Sequence, residues 1–149
     1  MRTLLQIIEI APVGERYEES RRVRGKVLRE PLGMGSLVEM FPFEAKSWHF
    51  LAIVDKRIVG CALFHPRGRE GRLFQMAVLE EFRGQGIGRA LVKFLEDTAR
   101  RRNFDTVFLH SRDYAVSFYS RCGYGLVGDP FMEIGIPHQA MAKPLREKK

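Results

Sequence analysis

Hydrophobic and polar positions along the chain fall into runs of strand length and runs of helical period. Residues 3–10, Thr-Leu-Leu-Gln-Ile-Ile-Glu-Ile, read as a first strand. From residue 15 to about residue 29, Tyr17, Val23, Val27 and Leu28 recur on one side of a helix. Pro31-Leu32-Gly33-Met34-Gly35-Ser36 breaks it. Residues 37–43 are ambiguous, and Pro42 argues against a central strand there. Residues 48–54 and 58–64 are two apolar runs around Asp55-Lys56-Arg57, the pattern of a hairpin. Residues 65–71 read as a polar loop. An apolar strand over 72–79 then leads through a glycine-rich turn into a helix to about residue 102, with Leu91, Val92, Phe94, Leu95 and Ala99 on its apolar side. Thr106-Val107-Phe108-Leu109 is the next strand, and Asp113 is the expected N-cap of the helix after it. Residues 124–127 and 131–134, continued by 139–141, close the sheet. Strands before and after two C-terminal helices predict a mixed α/β sheet, with residues 1–149 as a single domain.

Length and charge narrow the reading. The 149 residues suffice for one substantial core. A net charge of +7 suits a polyanionic ligand, and also nucleic acid or an acidic protein. The basic residues are spread out: Arg21, Arg22, Arg24, Lys26 and Arg29 in one run, Arg100, Arg101 and Arg102 in another, Lys148 and Lys149 at the end. Such runs read as solvated helix faces. Aromatics do not interleave clearly with lysines, which disfavours nucleic acid as a partner. No stretch approaches the roughly 20 apolar residues of a membrane span, so no membrane is expected. Gln6, Glu9 and Pro12 interrupt the apolar N-terminus and no small-residue cleavage site follows, so a signal peptide is not expected and the cytoplasm is. Cys61 and Cys122 have neither a CxxC partner nor metal-ligand spacing. They read as small buried hydrophobes in a reducing compartment, and no metal is expected.

The most specific segment is Arg83-Gly84-Gln85-Gly86-Ile87-Gly88-Arg89-Ala90. A glycine turn opening a helix leaves backbone N–H groups unpaired, and with the helix dipole they form an anion cradle. Spacing decides which kind. Arg89 stands where the dinucleotide fingerprint G-x-G-x-x-G needs its third glycine. Arg89 also replaces the second glycine of a Walker P-loop, with Ala90 and Leu91 in place of its lysine and hydroxyl. What remains is R/Q-x-x-G-x-G/A, met by Arg83, Gly86 and Gly88.

That pattern resembles the acetyl-CoA signature of the GNAT superfamily of N-acetyltransferases. Ala115-x-x-Phe118-Tyr119-x-x-x-Gly123-Tyr124 resembles the block that follows it there. Leu109-His110-Ser111-Arg112, Gly135-Ile136-Pro137-His138 with Met141, Gln75-Met76-Ala77-Val78 and Val27-Leu28-Arg29-x-Pro31-Leu32-Gly33 look like blocks of a bacterial and archaeal subgroup with L-H-A-R/Q and G-I-P-H motifs. The resemblance spans nearly the whole chain. It implies a GNAT-like, mostly antiparallel, twisted sheet flanked by helices, with acetyl-CoA as cosubstrate and an amine-bearing acceptor. A homodimer stays open. Arg112 departs from the asparagine that many members carry three residues before the alanine of the FY helix.

The resemblance also distributes roles. Arg83, Gly84, Gln85, Gly86, Ile87, Gly88 and Arg89 would hold the pyrophosphate. Met76, Ala77 and Val78 would offer backbone groups to the pantetheine arm, on a strand that splays from its neighbour. Tyr119 would protonate the leaving thiolate, a phenol of pKa about 10 serving a thiol of pKa about 8.5. Its alternative is a packing aromatic. The usual carboxylate base is missing, since the inward positions of the strand before the cradle include Leu73 and Gln75. Glu70, Glu80 and Glu81 read as solvated. His110, ending a strand near mid-sheet, is the better base. His138 follows, with Glu133 as its orienting partner, and His138 and Gln75 are assigned to the acceptor site. His49 and His65 read as strand and turn residues. The leading function is acetyl transfer to a primary amine of a small molecule or protein. A non-catalytic acyl-CoA sensor or interaction module on the same fold is the alternative.

Overall fold

Asp55 and Lys56 both take positive φ, 49° and 66°, which is what a two-residue turn needs to match the twist of its flanking strands. They return β2 (Trp48–Val54) onto β3 (Arg57–Arg67) as the expected hairpin. The computed structural model describes residues 4–34 and 42–146. The expected breaker at Gly35-Ser36, most of the ambiguous stretch 37–43, the first three residues, and Lys148 and Lys149 lie outside the described residues.

A second hairpin joins β3 to β4 (Glu70–Val78). The polar loop expected over 65–71 is therefore corrected: only Gly68 and Arg69 turn, Gly68 at φ 62°, and Pro66 stays in the ladder opposite Gly71. A Cβ on Gly71 would lie 1.9 Å from the Phe64 ring, so the absence of a side chain lets that ring fill the space. The remaining strands are β1 (Leu5–Ile10), β5 (Thr106–Arg112), β6 (Gly125–Glu133) and β7 (Ile136–Pro144). They make one seven-stranded sheet in the order β1-β2-β3-β4-β5-β7-β6. β4 and β5 run parallel, and the other neighbours are antiparallel. This is the mixed, mostly antiparallel sheet expected.

Among the described residues three α-helices flank it. α1 (Glu15–Arg24) continues as a π-helical turn, Gly25–Arg29, and a 3-10 turn, Glu30–Leu32, before Gly33 ends it in the left-handed conformation. α2 (Ile87–Arg101) buries Ile87, Leu91, Val92, Leu95 and Ala99. α3 (Val116–Arg121) carries Phe118 and Tyr119. Asp113 is not its N-cap: it heads a 3-10 turn and accepts the Tyr114 N–H at 2.8 Å, while Ala115 precedes the helix. β2 from His49 to Val54 and β3 from Ile58 to Phe64 are buried without a break, which requires cover on both faces. Gly60 faces Leu91 of α2, and Cys61, on the opposite face, senses Arg24 of α1. Among the described residues no helix is long and apolar enough to cross a membrane.

One member of the first basic run is not solvated. Arg24 is fully buried and forms a two-pronged pair with the buried Glu44 carboxylate, at 3.2 and 3.0 Å. Only a polar partner makes such a burial tolerable. Tyr17 donates its hydroxyl to the same carboxylate. His49 Nε2 lies 2.9 Å from the Glu44 carbonyl. Burial alone would raise the Glu44 pKa, but the hydrogen bonds from Arg24 and Tyr17 outweigh it and hold the carboxyl below its usual range. The cluster ties α1 to the turn before β2.

Glu44→Ala should therefore cost about 3–5 kcal/mol, because it strands a buried guanidinium. The stabilisation from Glu44 is present above the carboxyl's unfolded pKa and is lost as pH falls through its lower folded value. Urea melts should show the loss at neutral pH and a flatter acid limb in the variant. A cost under about 1 kcal/mol would mean the pair does not hold α1 in place.

Candidate active site

β4 and β5 are neighbours for only three residues. Glu70, Gly71 and Arg72 pair with Thr106, Val107 and Phe108, and beyond Arg72 the strands part. The cause lies on both sides. β5 stays in register with β7 as far as Arg112. β4 breaks register with β3 between the pairs Phe74–Leu63 and Ala77–Cys61, where two residues stand opposite one. Gln75 sits in this bulge at φ 53°. The β5-facing backbone of residues 73–78 therefore has no strand partner, as the resemblance implied for this strand.

A cleft of about 880 Å³ opens where the strands part. Gln75, Met76, Ala77 and Val78 line one side, and Leu109 to Arg112 the other. Val27, Leu28, Pro31 and Leu32, from the turns that extend α1, form an apolar wall. Arg112 braces that wall: it donates to the Leu28 carbonyl at 3.0 Å and to the Tyr114 hydroxyl at 3.0 Å. The position where asparagine was expected thus joins β5 to the α1 extension.

Strand register explains which side chains meet. His138 pairs with Arg112 across β5–β7, and with Phe131 across β6–β7. His110 and Glu133 each lie two residues along from those partners, so all project from one face of the sheet. Glu133 sits between the two histidines, with Oε1 at 3.2 Å from His110 Nδ1 and Oε2 at 3.5 Å from His138 Nε2. The expected Glu133–His138 pairing is present, and the same carboxylate also reaches His110. Phe131 packs edge-on to His110 and stacks with His138. His138 is buried, and its Nδ1 lies 3.0 Å from the Ile136 carbonyl, which only accepts, so Nδ1 carries a proton. At His110, Nδ1 also lies 3.3 Å from Arg72 Nη2. Glu133 calls for a proton on that nitrogen and Arg72 for a lone pair. Arg72 was missed in the sequence: its polar signal within an apolar strand was visible, its place beside His110 was not.

Tyr119 lines the same cleft from α3. Burial, with smaller contributions from Cys122 and Tyr114, pushes its hydroxyl well above the usual phenol range. It therefore keeps its proton at neutral pH. The glycine turn has two parts. Gly84 and Gly86 take φ 77° and 81° with nothing within 4 Å of an added Cβ. Gly88 is different: a Cβ there would meet Met76 Cε at 3.0 Å and Phe118 Cζ at 3.2 Å. It lets α2 approach the bulge and α3. Gly86 is the N-cap of α2 and no side chain caps the helix. Ala90 is the first residue whose N–H bonds back along it, to the Gly86 carbonyl. The N–H groups of Ile87, Gly88 and Arg89 thus have no intrahelical acceptor. Of this loop, Arg83 lines the cleft and also donates to the Val78 carbonyl at 3.3 Å. Gly84 to Arg89 lie outside the lining, and Arg89 borders a separate cavity of about 260 Å³ with Cys122 and Lys143. Cys61 is buried, with its thiol pushed up to about 12 by burial, and Cys122 is half-buried. Among the described residues no group of His, Cys, Asp and Glu is arranged to hold a metal ion.

Comparison with known proteins places this split sheet in a family. Residues 30–145 match the acetyltransferase (GNAT) domain family, and the chain belongs to that family. The Bacillus subtilis protein YyaT is 27% identical over 130 residues, covering 85% of this chain and 88% of its own. The crystal structure of Escherichia coli ElaA superposes with a TM-score of 0.79 at 18% identity, over 95% of this chain and 99% of that one. An aminoglycoside 6'-N-acetyltransferase complexed with coenzyme A superposes with a TM-score of 0.75 at 18% identity, over 97% and 99%.

Proposed function

We propose that this acetyltransferase moves an acetyl group from acetyl-CoA to a primary amine, with the parted strands as its reaction site. The carrying observation is that Tyr119 and His110 line one cleft, along the partnerless edge of β4. The residues fit the cosubstrate. The free N–H groups at the start of α2, with positive dipole end and open space at Gly84 and Gly86, suit a pyrophosphate. Arg83 and Arg89 add charge, and Gln85 belongs to the same turn. The backbone of Met76, Ala77 and Val78 suits an amide-bearing arm, which would add hydrogen bonds where β5 has withdrawn. The coenzyme A in the aminoglycoside acetyltransferase complex supports the same choice of donor.

In the transfer, the amine nitrogen bonds to the acetyl carbon and the carbon–sulfur bond breaks. The amine gives its proton to His110 Nε2. Glu133 favours this by accepting from Nδ1–H, which leaves Nε2 as the basic nitrogen. Tyr119 gives its proton to the departing sulfur. Its buried hydroxyl is a weak acid, but a thiolate in the same dry cleft is a correspondingly strong base. His138 and Gln75 border the acceptor end. A non-catalytic acyl-CoA module on this fold would bind the donor and release no free CoA.

Gly86→Asp puts a carboxylate at the helix N-terminus, where the pyrophosphate would lie. Calorimetry should show acetyl-CoA binding to the parent and a large loss in the variant, and equal affinities would remove the donor assignment. Tyr119→Phe keeps the ring and removes the proton. Turnover should fall roughly 10²-fold or more at nearly unchanged acetyl-CoA affinity. Unchanged turnover would make Tyr119 a packing residue. For the base, the rate should show a limb that rises with pH, and His110→Gln should flatten that limb. A limb that follows the acceptor's own pKa and ignores the substitution would assign the proton to solvent.

A further inference from the structure

Arg72 is a cleft-lining cation that the transfer chemistry leaves unused. It is the last residue of β4 to pair with β5, so it stands at the apex of the split. Its guanidinium has five N–H donors. Nη2 lies 3.3 Å from His110 Nδ1, and the Phe74 ring centroid is 6.0 Å from Cζ. Nε is buried and has no hydrogen-bond partner. Among the described residues no carboxylate lies within ion-pair distance of it. Burial lowers its pKa, and the field of Glu133 is the main influence opposing that. The other cleft arginines are engaged differently: Arg112 braces Leu28 and Tyr114, and Arg83 turns back to Val78. A half-buried guanidinium with spare donors in a ligand cleft is costly unless an anion completes it.

We propose that Arg72 is a subsite for a carboxylate on the acceptor, so that the acceptor is a small amino acid. This rests on the transferase reading above and names the acceptor class within it. Charge supports it: Arg72, Arg83 and Arg112 line the cleft against one carboxylate, Glu133, which the two histidines already engage. A polycationic amine would meet repulsion there. The apolar wall of Leu28, Leu32 and Phe43 suits a singly charged group better than a doubly charged phosphate, whose desolvation costs more. Distance limits the size. Arg72 reaches the Nδ1 edge of the His110 ring and the amine meets its Nε2 edge, so carboxylate and amine span a single imidazole, a separation that α-, β- and γ-amino acids sample. The geometry also couples the two groups. A carboxylate that draws Arg72 onto itself removes the donor competing for His110 Nδ1. That nitrogen then donates to Glu133, and Nε2 is left to take the amine proton.

The test uses matched pairs of α-, β- and γ-amino acids and their carboxamides as acceptors, read by free CoA release. Binding of each pair to the parent in the presence of CoA is followed by calorimetry. The parent should favour the carboxylates by roughly ten- to a hundredfold in kcat/KM, the range of a charged hydrogen-bonded pair. Arg72→Met should reduce that ratio to near unity, and Arg72→Lys should keep part of it. The ratio is internal to each variant, so a general loss of activity or stability does not imitate the result. Carboxamides accepted or bound as well as carboxylates by the parent would overturn the proposal and leave the transferase reading intact. A preference that survives Arg72→Met would overturn it too. No CoA release with any amine, together with no acetyl-CoA binding, would overturn the transferase reading and the proposal with it.

Discussion

The parting of β4 from β5 is the constraint on which the site depends. A strand in the middle of a sheet normally has its N–H and C=O groups paired on both sides. Here β4 leaves one neighbour after Arg72 and keeps the other through a bulge at Gln75. β3 and β7 take opposite strands with them, so the gap is built into the sheet and does not depend on a mobile loop. An extended ligand arm can then take the place of the missing strand, with main-chain groups doing the recognition. A single 3-10 turn, Glu80–Phe82, leads from this strand into the glycine turn, which sets the helix N-terminus of α2 beyond the end of the same edge.

Around this gap the structure spends polar interactions on holding its walls. The Arg24–Glu44 pair, with Tyr17, fixes α1 against the sheet. The extension of α1 becomes the apolar wall of the cleft, tied at its far side by Arg112 on the Leu28 carbonyl. Arg102 clasps Glu9 with two bonds and lies 4.3 Å from the Trp48 ring, joining the C-terminal end of α2 to β1 and β2. Several of the positive charges that gave the chain its basic balance are thus structural.

The two groups proposed to move protons stand in different environments within the cleft. Tyr119 is dry and keeps its proton. His110 is partly exposed, with a carboxylate oxygen and a guanidinium nitrogen competing for one ring nitrogen.

Much of this was legible in the chain. Strand and helix positions followed from apolar period, and the glycine spacing together with the FY block was enough to identify the family, because turns are local. Asp55-Lys56 and the start of α2 are of this kind. Local patterns misjudged residues 65–71, since Pro66 and Arg67 are held in strands by a partner across the hairpin, and Asp113, whose capping bond went to a 3-10 turn. They also left Arg24 on a solvated face, because its partner Glu44 is twenty residues away and only packing brings the two together. The meeting of His110, Glu133, His138 and Arg72 was decided by register among β4, β5, β6 and β7. Register is a property of paired strands, and no single strand carries it.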